Sequence, residues 1–155
     1  MKLLILKMII ILFNPQIPQN TGNIIRTCFL TNSDLYLVKP LGFSLSKRQL
    51  RRSGIDYFDE QKINVLDNLD DFLLDKEDFY FFSSKAEKKY TDVKYTKDSI
   101  LIFGSETFGL PEKYTKKMKE KFVTIPMKKD SRCLNLSNSV AIGLYECFRQ
   151  NNFIF

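Results

Sequence analysis

The sequence predicts an α/β fold with a mainly parallel sheet and flanking helices, as one domain over residues 1–155. Three observations carry this. Short apolar runs alternate with amphipathic stretches along the chain, the strand–helix–strand–helix order that parallel sheets require. A chain of 155 residues, 44% hydrophobic and 27% charged, can bury one sizeable core and not two. No internal repeat, low-complexity tract or linker divides it.

The elements follow in order. Met8–Phe13 is an apolar run stopped by Asn14-Pro15, read as a buried strand. The start MKLLILKMIIILF resembles a short signal peptide, but Lys7 interrupts it, no small-residue cleavage site follows, and it is too short to span a bilayer. A start at Met8 would leave the strand intact, so residues 1–7 are expected to be dispensable. Asn20–Leu30 carries Ile24, Ile25, Cys28 and Phe29 at helical spacing. Leu35–Val38 is a strand ended by Lys39-Pro40, Lys47–Arg52 one basic helical turn, Ile63–Leu66 a strand, and Asn68–Leu74 a helix with Leu69, Phe72 and Leu73 inward. Phe79–Phe82 and Ile100–Phe103 are strands. Pro111–Lys121 reads as a helix, with Pro and Glu112 at its start and lysines toward its end. Phe122–Ile125 is a strand stopped by Pro126, and Leu136–Gln150 is the longest helix, with Val140, Leu144, Cys147 and Phe148 on one face.

Composition excludes several chemistries. The chain has no His, hence no Ser-His-Asp triad, no Cys-His pair and no imidazole metal ligand. Its three Cys (Cys28, Cys133, Cys147) are far apart, which argues for a reducing, cytoplasmic setting and for small apolar roles. There is no Walker-type phosphate loop, no G-x-G-x-x-G after the first strand and no metal-ligand spacing. The net charge of +6 favours polyanionic partners. Residues 56–78 are acidic and read as a solvated face, whereas Lys47, Arg48, Arg51 and Arg52, and the bases of residues 112–132, flank unusual loops and point to a polyanion.

Those loops follow strands, where open α/β sheets collect ligands. The first is Asn14-Pro15-Gln16-Ile17-Pro18-Gln19-Asn20-Thr21-Gly22-Asn23-Ile24-Ile25-Arg26, in which Asn20 or Thr21 caps a helix or binds a ligand, with Arg26 one turn inside. The second is Ile102-Phe103-Gly104-Ser105-Glu106-Thr107-Phe108-Gly109-Leu110-Pro111. Its glycines either make a tight turn or let the backbone approach a ligand, with Glu106 orienting a polar group. The third, Ile125-Pro126-Met127 and then Ser131-Arg132-Cys133-Leu134-Asn135-Leu136-Ser137-Asn138-Ser139, holds more Ser and Asn than capping needs.

In these three loops the sequence resembles the SPOUT superfamily of methyltransferases: PQNTGNIIRT, FGSETFGLP and IPM…SRCLNLSNSVAIGLYE are similar to its three motifs, in order. Together with LGFSLSKRQLRRSGIDY they resemble the small TrmL-type branch, which 2′-O-methylates the wobble nucleotide of certain tRNAs; the resemblance covers nearly all of residues 8–150. It implies a C-terminal trefoil knot, S-adenosylmethionine as methyl donor with no metal, and tRNA as partner, leucine tRNAs being expected. It also implies a homodimer whose site uses both subunits, and no membrane. Phe82, Gly104, Ile125, Cys133 and Leu134 match cofactor-contacting positions, Arg26 the Arg placed on the ribose hydroxyl, and Asn20, Glu106, Ser137 and Asn138 polar positions of the motifs. Lys47, Arg48, Arg51 and Arg52 are assigned to RNA. Cys133 stands where relatives commonly carry Ser, and Ser105 where they carry Pro, a change expected to loosen its loop. Gly104→Val is expected to fill ligand space and leave the fold intact. The other reading of the same loops is a non-catalytic RNA-binding domain.

Overall fold

The computed structural model describes residues 7–46, Arg48 and 62–155. Apart from Arg48, the expected helical turn at Lys47–Arg52 lies outside the described residues, as do Lys47, Arg51 and Arg52 themselves.

The elements are β1 (Ile9–Phe13), α1 (Pro18–Leu30), β2 (Asp34–Val38), β3 (Ile63–Leu66), α2 (Leu69–Leu73) and β4 (Phe79–Phe82). They continue with β5 (Ile100–Phe103), α3 (Glu112–Lys117), β6 (Phe122–Val123) and α4 (Leu136–Gln150), and short 3₁₀ turns occupy Tyr90–Asp92 and Lys119–Lys121. The strands form one parallel six-stranded sheet in the order β3-β2-β1-β5-β4-β6.

Both faces of the sheet are covered, as parallel sheets demand. On one face Ile10, Leu12, Leu35, Leu37, Leu101 and Phe103 pack beneath Ile24, Ile25 and Cys28 of α1 and Val140, Leu144, Cys147 and Phe148 of α4. On the other, Ile11, Phe79, Phe81, Ile100, Ile102 and Phe122 meet Leu69 and Leu73 of α2 and Tyr114 of α3. Alternate residues of β1 therefore serve opposite cores, the period-two consequence of strand geometry. Met8 is fully buried. Lys7 already pairs, its amide donating to the Lys97 carbonyl at 3.2 Å and its ammonium lying 3.1 Å from Asp34.

Three elements differ by more than one residue from the sequence reading. Helix α1 begins at Pro18, before Asn20, because Pro is tolerated at a first helical position where its missing N–H is no loss. The expected helix Pro111–Lys121 ends at Lys117, where Met118 leaves helical geometry and a 3₁₀ turn follows. Strand β6 stops at Val123, and Thr124 continues only as a single bridge to Lys89.

The strand order positions the site. From β1 the chain moves outward to β2 and β3, whereas β5 lies on the other side of β1. After β1 the chain enters α1 on one face, and after β5 it enters α3 on the other. The loops leaving these adjacent strands therefore diverge and leave a crevice at their carboxyl ends, the expected ligand position in an open α/β sheet.

Candidate active site

An open cleft of about 1230 Å³ occupies that crevice. The five residues expected to contact a cofactor, Phe82, Gly104, Ile125, Cys133 and Leu134, all line it, although they come from three separate stretches of chain. Asn20 and Glu106 line it as well.

Glu106 organises the cleft. Its carboxylate accepts from the Gln16 amide at 2.8 Å, the Ile17 amide at 3.1 Å and Asn20 Nδ2 at 3.2 Å. Helix α1 has no side-chain cap of its own, since its N-cap residue is Ile17. A carboxylate from the β5 loop thus sits at the positive end of the α1 dipole. Asn20 passes the connection on, its Oδ1 accepting from Asn135 Nδ2 at 2.9 Å. The Asn135 Oδ1 in turn accepts from the Ser137 amide at 2.9 Å, the Ser137 hydroxyl at 2.6 Å and the Asn138 amide at 3.4 Å, capping α4. One hydrogen-bond chain, Glu106–Asn20–Asn135, ties the three loops together.

Sequence reasoning singled out Asn20, Glu106, Ser137 and Asn138 but left Asn135 among the loop residues. Asn two positions before Ser and immediately before an apolar helix is an N-cap signal, and it was the available clue. Ser137 and Asn138 contribute their amides to this cap and do not line the cleft. Asn20 is not a helix cap, because it lies inside the first turn.

Arg26 is exposed on α1 and is not among the lining residues. It stands roughly two turns from the cleft end of the helix. The loop reading puts it one turn inside the helix; the helix starts at Pro18, two residues before Asn20, and carries Arg26 further along.

The glycines act differently from expectation. A Cβ on Gly104 would stand 2.4 Å from the Gly109 carbonyl carbon and 2.7 Å from the Leu110 nitrogen. The absent side chain makes room for the loop's own backbone, so Gly104→Val would displace the loop and not merely fill ligand space. Gly109 takes φ +66° with open space around it. Ser105 tightens the loop where loosening was expected. Its hydroxyl accepts from the Thr107 amide at 3.3 Å and the Phe108 amide at 3.5 Å.

Phe82 is 7% exposed, its ring stacked on Phe103 at 4.6 Å. Gly143 of α4 lets that ring approach, since a Cβ there would lie 2.9 Å from Phe82 Cε1. Burial pushes the Cys28 and Cys147 thiols up, which keeps them neutral and apolar. Cys133 departs from the apolar role expected of all three: it is exposed, with its thiol 3.5 Å from the Ser84 hydroxyl.

Charge at the rim is mixed. Lys85, Lys88 and Lys119 line the cleft beside Glu87, Glu112 and Glu120. Lysines of α3 and of the 3₁₀ turn after it are engaged internally. Lys113 bonds Asp70 at 2.6 Å, and Lys121 bonds the Glu77 carbonyl and lies 4.8 Å from the Phe79 ring centroid. Arg48 is exposed. Among the described residues no His, Cys, Asp and Glu cluster could hold a metal, and no helix is long and apolar enough to cross a membrane.

Comparison with known proteins extends this geometry. The chain is 41% identical over 147 residues to the tRNA (cytidine(34)-2'-O)-methyltransferase of Methylovorus glucosotrophus, covering 93% of this chain and 96% of the relative. It is 40% identical over 147 residues to the protein of the same name from Saccharophagus degradans, with the same coverage. A solved structure described as "Structural insights into the 2-OH methylation of C/U34 on tRNA" superposes with TM-score 0.84 at 33% identity, over 94% of this chain and 97% of that one. AviRb of Streptomyces viridochromogenes, a SpoU methyltransferase solved in complex with AdoMet, shares the fold at TM-score 0.80 and 20% identity, over 97% of this chain and 60% of its own. Residues 7–145 match the model of the SpoU rRNA Methylase family, and the chain belongs to that family.

Proposed function

We propose that the protein transfers a methyl group from S-adenosylmethionine to the ribose 2′-hydroxyl of the wobble cytidine or uridine of tRNA. The observation that carries this reading is the convergence of Phe82, Gly104, Ile125, Cys133 and Leu134 on one cleft at the β1/β5 crevice. Apolar walls from Phe82, Ile125, Met127 and Leu134, with polar backbone at Gly104 and Cys133, suit an adenosyl group with an amino-acid tail. The names of the relatives at about 40% identity support the substrate.

S-adenosylmethionine, when bound, supplies an electrophilic methyl on a sulfonium. The protein's work is orientation and exclusion of water. The Glu106–Asn20–Asn135 chain fixes the three loops against one another, so the cleft is formed before ligands arrive. In the transfer a bond forms from carbon to the 2′-oxygen, the carbon–sulfur bond breaks, and the hydroxyl proton leaves. Arg26 serves as an orienter whose planar fork of donors grips hydroxyl and phosphate together, with the phosphate or water taking the proton.

Arg26 lies outside the cleft of its own chain, which supports a homodimer in which Arg26 of one copy serves the cleft of the other. Ile142, Tyr145, Phe153, Ile154 and Phe155 leave an apolar surface on α4 and the residues after it, and it supports the same assembly. Knotted threading of the C-terminal part is carried over from the resemblance of the three motifs, and the packing of α4 on α1 and β5 is compatible with it. A cytoplasmic setting goes with the tRNA substrate.

Single-turnover kinetics with Arg26→Lys tests the reading. The variant should bind cofactor and tRNA nearly normally and lose most methyl transfer. Transfer at the wild-type rate refutes the role of Arg26. Failure of the wild-type protein to bind S-adenosylmethionine refutes the enzyme.

A further inference from the structure

Phe108 is 80% exposed, yet the loop that carries it is tied at several points. The Ser105 amide donates to the Gly109 carbonyl at 3.2 Å, and the Gly109 amide donates back to the Ser105 carbonyl at 2.9 Å. The Ser105 hydroxyl accepts from the Thr107 and Phe108 amides, Gly109 closes the turn at φ +66°, and Gly104 packs against its far side. Glu106, at the base of the turn, is anchored to Gln16 and Ile17. A loop built this tightly holds the phenyl ring out in water and gives it no path back to a core. Ile17 at 42% and Met127 at 39% exposure line the same cleft, as does Lys85; Lys88 and Lys119 line it too but are engaged, Lys88 donating to the Glu120 carbonyl at 3.2 Å and Lys119 lying 3.6 Å from Glu87.

A rigidly presented aromatic ring beside cations at the mouth of a cleft has the chemistry that recognises an unpaired nucleotide. The ring covers the base and the ammonium groups meet phosphates. Interspersed Glu87, Glu112 and Glu120 break any uniform cationic field of the kind a membrane surface would need. We propose that Phe108 is the stacking platform for the base of the nucleotide whose ribose enters the cleft, an inference that rests on the methyl-transfer reading above. Stacking reads the flat face of a base and not its hydrogen-bonding edge, so such a platform accepts cytosine and uracil alike. Phe108 then selects an unstacked base, and the Glu106-anchored turn sets its height above the ribose.

The test uses the full chain and an anticodon stem-loop with fluorescent pyrrolocytosine at the wobble position. Wild-type protein should quench the probe. Phe108→Ala should abolish most of the quench and weaken stem-loop binding about tenfold, the size of one lost base–aromatic stack. Phe108→Trp should restore both, and Phe108→Leu, which keeps apolar bulk without a π face, should restore neither. Thermal midpoint and calorimetric binding of S-adenosylmethionine should be unchanged across the set, because the ring buries little in the protein. Wild-type quench and affinity in Phe108→Ala overturn the proposal while methyl transfer by the wild type stands. A change of sedimentation mass in Phe108→Ala also overturns it, by showing that a second copy covers the ring. Failure of the wild-type protein to bind the stem-loop removes both the platform and the tRNA reading beneath it.

Discussion

Helices α1 and α4 both begin beside the cleft, and their N-termini are satisfied in opposite ways. Helix α4 is capped from within: Asn135 precedes it and accepts from its first amides. Helix α1 begins at Ile17-Pro18 with no local side-chain cap; the Gln16 and Ile17 amides just ahead of it and the Asn20 side chain are held by Glu106, from 89 to 90 residues further along the chain. A local cap forms whenever the helix forms. A borrowed anchor exists only once β1 and β5 are paired, so the geometry ahead of α1 reports the assembly of the whole site. The single bond from Asn135 to Asn20 joins the two arrangements.

The sharpest way to break this contrast is Glu106→Ala, which strips three donors of their acceptor. We expect a loss of about 2 kcal/mol in urea unfolding, the scale of hydrogen bonds to a charged group. Methyl transfer should fall about a hundredfold from misplacement of the loops. A variant with wild-type stability would show that α1 does not need the borrowed carboxylate. Gly104→Ala attacks the same loop by crowding. Its new methyl meets backbone, so we expect a cost of about 1–2 kcal/mol. Gly109→Ala, with open space and only a left-handed φ to strain, should cost about 1 kcal/mol. Equal losses in chemical denaturation would contradict the packing account of Gly104.

Asn135 permits a finer cut. Asn135→Ala should cost about 1 kcal/mol as a lost cap. Asn135→Asp keeps an acceptor for the α4 amides but cannot donate to Asn20, so it should recover most of that stability. If the tie between helices matters to the site, both variants lose transfer alike. If Asp restores transfer along with stability, Asn135 is a cap and nothing more.

The self-sufficiency of α4 extends to its other end. Arg149 donates to Glu146 at 2.7 and 2.8 Å and Gln150 at 2.9 Å, and the Arg149 contact foremost holds the Glu146 carboxyl below its ordinary value of 4.5. A depressed carboxylate contributes stability above its unfolded value, and that contribution is lost as pH falls through the lower folded value. Glu146→Gln should therefore be less stable than wild type by about 1 kcal/mol at neutral pH. The difference should vanish in acid melts below the folded value. A gap independent of pH would place the effect in packing.

Much of this molecule is legible in its residues. Apolar runs gave β1, β2, β4 and β5 nearly to the residue, helical spacing gave α1 and α4, and three polar loops marked the cleft before any coordinates. These are local signals, because periodicity, turn residues and caps act over a few positions. Tertiary structure decided what each marked residue does. Asn20 looked like a cap and became a bridge, since Pro18 starts the helix earlier and Glu106 arrives from another loop. Gly104 offered either a tight turn or an approach to a ligand; it lines the cleft and also makes room for Gly109. Ser105 looked loosening and ties its turn. Arg26, read as one turn inside its helix, stands about two turns in and is not among the residues that line the cleft. Of these, the Asn20 bridge depends on contacts between segments distant in sequence, which exist only after the β1/β5 pairing sets their register, whereas the Gly104 and Ser105 contacts lie within one short loop. The order of residues along the chain specifies the elements and supplies the residues from which a site is drawn. The parallel sheet, by placing the ends of β1, β4, β5 and β6 side by side, decided which of those residues meet.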